Sequence, residues 1–150
     1  MKNNLFIDKN NFPDSLQVSG FGYELIREVL IPELLGNDLP PLLYWAGKVL
    51  ARKYPLQSIE EIISFFEYAS WGTLAVSHEK RNEVEFSLIS ELISHRLQVK
   101  DSCSFQLEGG FLAQQIQQQT KKHTEAYEQQ KKRVKKIIFT VKWDNKDPIE

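Results

Sequence analysis

The chain has 150 residues, a net charge of −1, 41% hydrophobic and 26% charged residues. That is the composition of one globular domain able to bury roughly 70% of its unfolded surface, and it excludes a global charge bias toward nucleic acid or membranes. The single cysteine, Cys103, excludes an intrachain disulfide and fits a reducing, cytoplasmic setting.

Residues 1–15 are polar and asparagine-rich and lack the apolar stretch of a signal peptide. They read as a flexible tail before a single domain over 16–150. No apolar run reaches the length of a membrane span. Residues 20–35 then place Phe21, Leu25, Val29, Leu30 and Leu34 at helical spacing, with Pro32 as a kink and Gly36 as a stop. Residues 38–53 predict the most regular helix. Asp38 is its cap, Pro40 and Pro41 sit in the first turn, and Leu42, Trp45, Ala46, Val49 and Leu50 form an apolar stripe. Ala46 and Gly47 leave room for another backbone. Ser58 and Glu61 form a capping box for a third helix through Ile59, Ile62, Ile63 and Phe66, with Gly72 near its stop.

The period then falls to two. Val84, Phe86 and Leu88 alternate with Glu83, Glu85 and Ser87, which predicts a hairpin turning at 79–82. SELISHRLQ reads as a short helical or irregular connection. Residues 105–119 predict a fourth main helix with Phe105, Gly109, Leu112 and Ile116 on one face. Residues 137–143 alternate as a strand. We read residues 123–133 as its partner strand in preference to more helix, and the final DNKDPIE as frayed. The expected fold is α+β, with four main helices on one face of a small twisted antiparallel sheet.

The runs YELIREVLIPELLG, YWAGKVLARKYPL, FFEYASWGTL, FQLEGGFLAQQIQ and VKWDNKDP, in this order over residues 20–148, resemble the YslB-like family of small bacterial proteins. That family supplies no catalytic or binding residues to carry over. Its fold is similar to that of vinyl-reductase-type ligand-binding domains, subunits of the vesicle-tethering transport protein particle and, more distantly, haem-based nitric-oxide sensors. The resemblance implies a helical layer on a twisted antiparallel sheet, and relatives that bind small apolar ligands or assemble with one another. Fold does not imply function, and the departures count. The C-terminal hairpin region lacks the cysteines of vinyl-reductase-type domains. The Y-x-S-x-R motif of the haem sensors is absent, and Cys103 lies far later than the acylated cysteine of the transport-particle subunits.

The chemistry-bearing residues are few. His78, His95 and His123 lack the paired spacing of zinc ligands, so no metal site is expected. Cys103 reads as a small buried hydrophobe in preference to a nucleophile. Glu108 reads as a solvated carboxylate, or one partnered by Arg27 or Arg96, in preference to an acid or base. Gly109 and Gly110 lack the third glycine and the lysine of a phosphate loop, so they are expected to pack closely against the third helix or the sheet. With Trp45, Gly47, Trp71 and Glu108 they form the candidate interface or pocket. The aromatics Tyr44, Trp45, Phe65, Phe66, Tyr68 and Trp71 read mainly as core. Residues 121–136 carry seven Lys or Arg against two Glu, which leaves −6 on the remainder of the chain. Lys131, Lys132, Arg133, Lys135 and Lys136 are the candidate anion contact, for nucleic acid or anionic lipid. With Tyr127 the only aromatic there, nucleic acid is disfavoured, and lysine protection of a sheet edge is the preferred alternative.

No catalytic constellation, metal or cofactor emerges. The preferred reading is a non-enzymatic, self-associating interaction module, expected to be a homodimer. The alternative is a sensor or carrier of a small apolar ligand held between helices and sheet.

Overall fold

The computed structural model describes residues 7–8, 11–13, 15–100 and 102–148. The chain falls into two compact units, Met1–Leu34 and Leu35–Glu150. In the first, Ser19 caps α1 (Gly20–Glu24) by accepting a hydrogen bond from the Gly22 N–H at 3.0 Å. The helix then widens into a π-helical stretch, Leu25–Leu30, before α2 (Ile31–Leu35). Ile31 donates to the carbonyl of Ile26, five residues back. The widening falls where Pro32 has no N–H to continue the regular ladder. Gly36 ends the run at φ +59, a left-handed conformation open to glycine.

The second unit contains α3 (Leu39–Lys53), α4 (Ile59–Tyr68), β1 (Thr73–Lys80), β2 (Glu83–Ile89), α5 (Glu91–Val99), α6 (Gln106–Thr120), β3 (Lys122–Lys131) and β4 (Lys136–Pro148). The strands form one open antiparallel sheet in the order β1-β2-β4-β3. Period-two alternation sets its inner face. Val84 opposes Val141, Phe86 opposes Phe139 and Leu88 opposes Ile137, and all six are buried. Such cross-strand apolar pairs fix the register, because a slip by one residue would turn the whole set to solvent. The fold is α+β, as expected, and residues 122–131 are the expected partner strand.

Helix α6 packs between α3 and strands β3 and β4. It is buried without a break from Glu108 to Ile116, so the single apolar face predicted for it is too narrow. An aromatic cluster closes the core beside it. Phe111 stacks on Phe65 at 4.7 Å between centroids and meets Trp71 edge-on at 5.2 Å and Phe66 at 6.0 Å.

Other local expectations shift for identifiable reasons. The buried face of α3 is Leu43, Gly47 and Ala51, not the bulkier stripe of Leu42 and Trp45, which are exposed. Small residues bury there because α6 crosses at backbone distance. Asp38 precedes α3 without a capping hydrogen bond from its side chain. Ser58 does cap α4, accepting from the Glu61 N–H at 3.2 Å, while the Glu61 carboxylate accepts from Gln57. The connection after β2 is a regular helix, α5, capped by Ser90 accepting from the Ile93 N–H at 3.0 Å. Strand β4 continues to Pro148, paired with Lys122, where the sequence predicts fraying.

Candidate functional site

The geometry around the two glycines is explicit. A Cβ on Gly110 would run into the carbonyl of Tyr44 on α3, and a Cβ on Gly47 would run into the carbonyl of Leu107 on α6. Gly47 and Gly110 therefore let α3 and α6 cross backbone on backbone. The neighbour of Gly110 is α3, not the helix through Ile59 and Phe66; the sheet, the other neighbour expected, is met at Gly109 through Phe139 of β4. Gly109 differs: a Cβ there would meet the Phe139 ring at 3.5 Å and the Tyr44 ring at 3.9 Å, ordinary contact. No gap for a guest opens at Gly109.

The glutamines that follow close the far end of the same crossing. Gln115, fully buried, donates to the Tyr54 carbonyl at 2.8 Å and accepts from the Leu56 N–H at 3.0 Å. Gln119 donates to the Leu56 carbonyl at 3.1 Å. Helix α3 ends at Lys53, and these amides serve polar backbone just beyond it. At the other end of α6 the Glu128 carboxylate accepts from the Phe105 N–H at 3.2 Å and the Gln106 side-chain amide at 2.6 Å. An anion at a helix N-terminus is favourable.

Tyr44 also ties α3 to the edge strand β3. Its hydroxyl donates to Glu125 at 2.6 Å and accepts from the Ala126 N–H at 2.9 Å. Lys48 lies 3.4 Å from the same carboxylate and 4.8 Å from the Tyr44 ring centroid, and His123 lies 3.2 Å from the second oxygen. Burial, then the bond to Glu125, pushes the Tyr44 phenol above its ordinary range. Burial pushes Glu125 upward as well, but the hydrogen bond from Tyr44 and the charge of Lys48 outweigh it and leave the carboxyl below its usual value. The cluster closes a sheet edge. Nothing in the sequence marked it, since its partners lie 81 residues apart.

The remaining candidates separate. Trp71 joins the Phe111 cluster and is buried, whereas Trp45 on α3 is 61% exposed. Glu108 is buried at 1% exposure, which removes the solvated one of its two expected readings. Cys103 is half-buried, and its carbonyl accepts from Gln130 at 2.8 Å. His78 is exposed on β1. His95 lines an open groove of about 690 Å³ with Ser90, Glu91, Ser94, Val134 and Lys135. Among the described residues no group of three or more His, Cys, Asp or Glu is placed to hold a metal, and no helix is long and apolar enough to cross a membrane.

Two surfaces stand out. The helical run of the first unit has its polarity inverted. Phe21, at 76%, and Leu34, at 71%, are exposed along with Leu25, Ile26, Val29 and Leu30, while Arg27 is buried and Tyr23, Glu24 and Glu28 are half-buried. Arg27 lies 3.4 Å from Glu28 and donates to the Tyr23 hydroxyl at 3.2 Å. Helical spacing identified this apolar set, Ile26 apart, but gave no sign that it faces outward. The second surface is the tip of the β3–β4 hairpin. There Lys131, Lys132, Arg133 and Lys135 are exposed and Lys136 half-buried around a 3-10 turn, Lys132–Val134.

A protein family described as of unknown function, DUF2507, matches residues 20–142. The uncharacterised protein YslB of Bacillus subtilis (strain 168) is 50% identical over 134 residues, 89% of this chain and 90% of its own length. Among solved structures, a vinyl-4-reductase family protein from Methanocaldococcus jannaschii superposes with a TM-score of 0.64 at 17% identity, covering 88% of this chain and 85% of that one. An iron(II) unliganded H-NOX protein from K. algicida gives 0.53 at 15% identity, covering 93% and 81%.

Proposed function

Because the chain belongs to the DUF2507 family, whose function is unknown, we propose from its own surfaces that it is a non-enzymatic, cytoplasmic interaction module that self-associates into a homodimer. The inverted helix of residues 20–34 carries this reading. Six large apolar side chains there are exposed, while Arg27 is buried, Glu24 and Glu28 are half-buried and Glu33 is exposed. Contiguous apolar surface of several hundred Å² on a lone chain marks an interaction site. An interface of standard size takes about 800 Å² from each partner. The helix carries Glu24, Glu28 and Glu33 against Arg27, so an anionic bilayer would repel it, and a second copy suits it because the same exposed apolar face, Phe21, Leu25, Ile26, Val29, Leu30 and Leu34, can cover itself. Sedimentation velocity over a dilution series tests this. The dimer should dissociate on dilution through the micromolar range typical of weak specific pairs, and a single monomer boundary at every concentration would remove the reading.

The likeness in fold to the vinyl-4-reductase family protein supports a second reading, a carrier of a small apolar ligand. Mass spectrometry of the denatured protein should then release a small molecule that co-purifies at a fixed ratio. No such molecule, and no stabilisation by added fatty acids, would leave the reading without support.

A further inference from the structure

We propose that the tip of the β3–β4 hairpin, residues Lys131–Lys136, docks on an anionic lipid surface. This is independent of the self-association reading and rests on a different part of the chain.

Five of its six residues are cationic. Protection of a sheet edge does not account for them. Of the two strands, β3 lies at the edge while β4 is interior, between β2 and β3. Only Lys131 ends the edge strand; Lys132 and Arg133 lie in the turn, Lys135 follows it and Lys136 opens the interior strand. The local structure is also costly. Lys131 stands directly opposite Lys136, a like-charge pair that weakens a hairpin. Lys135 adopts φ +57, a left-handed conformation in which asparagine or glycine would be less strained. Where a sequence breaks local rules without a structural gain, function is the expected reason.

The kind of polyanion follows from the neighbours. Val134, at the centre of the tip, is 59% exposed among the cations. An apolar side chain ringed by lysine and arginine suits the headgroup boundary of a bilayer, where the cations meet lipid phosphates and the apolar group enters the interface. Nucleic acid fits less well. The tip has no aromatic on which bases could stack.

Each basic residue near an anionic leaflet is worth roughly a factor of five in partitioning. The test is co-sedimentation of the full chain, at low salt, with vesicles of phosphatidylcholine containing about one-third phosphatidylglycerol. The charge-reversed variant Lys132→Glu/Arg133→Glu/Lys135→Glu should bind at least about tenfold more weakly. Raising the salt toward 1 M, where the screening length shrinks to about 3 Å, should release the wild-type chain. Because the triple variant changes a hairpin turn, Lys135→Gly is the second probe. It should raise resistance to urea by relieving the left-handed lysine and still lower vesicle binding severalfold. Equal binding to pure phosphatidylcholine, unchanged binding by both variants, or tighter binding to duplex DNA at the same salt would overturn the proposal.

Discussion

Gly110 of α6 sits against the Tyr44 carbonyl of α3 with no room for a side chain. That single approach organises the second unit. It brings α6 under α3, lets Phe111 reach the aromatic cluster, and places the Tyr44 hydroxyl on strand β3. Replacing Gly110 with alanine should cost about 3 kcal/mol or more, because the obstacle is backbone and cannot rotate away. Gly47→Ala should act alike, against the Leu107 carbonyl. Gly109→Ala should be neutral or stabilising by up to about 1 kcal/mol, since a helical glycine gains from a side chain that fits. Urea unfolding of the three variants checks the ranking.

Gln115 should behave as a structural residue in spite of its polarity. Its truncation to alanine leaves the Tyr54 carbonyl and the Leu56 N–H without their partner, at a cost of about 1–3 kcal/mol. Gln119→Ala removes one bond at a more accessible site and should cost about 1 kcal/mol. Thermal or urea melts of both distinguish a buried clamp from a solvated helix face.

The Tyr44–Glu125 pair predicts a pH dependence. Glu125 titrates below its ordinary value of 4.5 in the folded chain. Its contribution is therefore present above that value and is lost as pH falls through the depressed folded one. Tyr44 is shifted upward, so its contribution holds below the ordinary tyrosine range, about pH 10, and is lost as pH rises beyond it. Tyr44→Phe should lower stability at neutral pH by about 1–2 kcal/mol and flatten both limbs. Denaturant midpoints measured from pH 3 to neutrality, and again above about pH 10, read this out. A variant with limbs as steep as the wild type would place the titrating groups elsewhere.

The sheet was legible because its chemistry is local. Val84, Phe86 and Leu88 alternate with polar residues, so the strand and its buried face follow from spacing, and Ser58 announces α4 through its cap. The α3 face was not legible, because bulk is a poor guide when backbones touch. Leu43, Gly47 and Ala51 turn inward as the small-residue row, and Trp45 is left outside. Glu108 is buried where no spacing announced it, and Gln115 is buried because its partners, Tyr54 and Leu56, lie on distant chain. The inverted helix could be recognised as a helix, but its direction of exposure is a property of packing. The cationic tip was visible as composition. Only the placement of β4 inside the sheet separates it from edge protection.

The most direct measurement is the mass of the chain in solution by light scattering behind size exclusion, for the wild type and for Val29→Glu/Leu30→Glu. Both residues are exposed on the inverted helix, so the double variant should keep its fold and its unfolding midpoint. At tens of micromolar, roughly where weak specific dimers populate, the wild type should weigh twice the 17.5 kDa of one chain and the variant one chain. A wild-type mass of one chain, or a variant that remains dimeric with its fold intact, would contradict assembly through this helix.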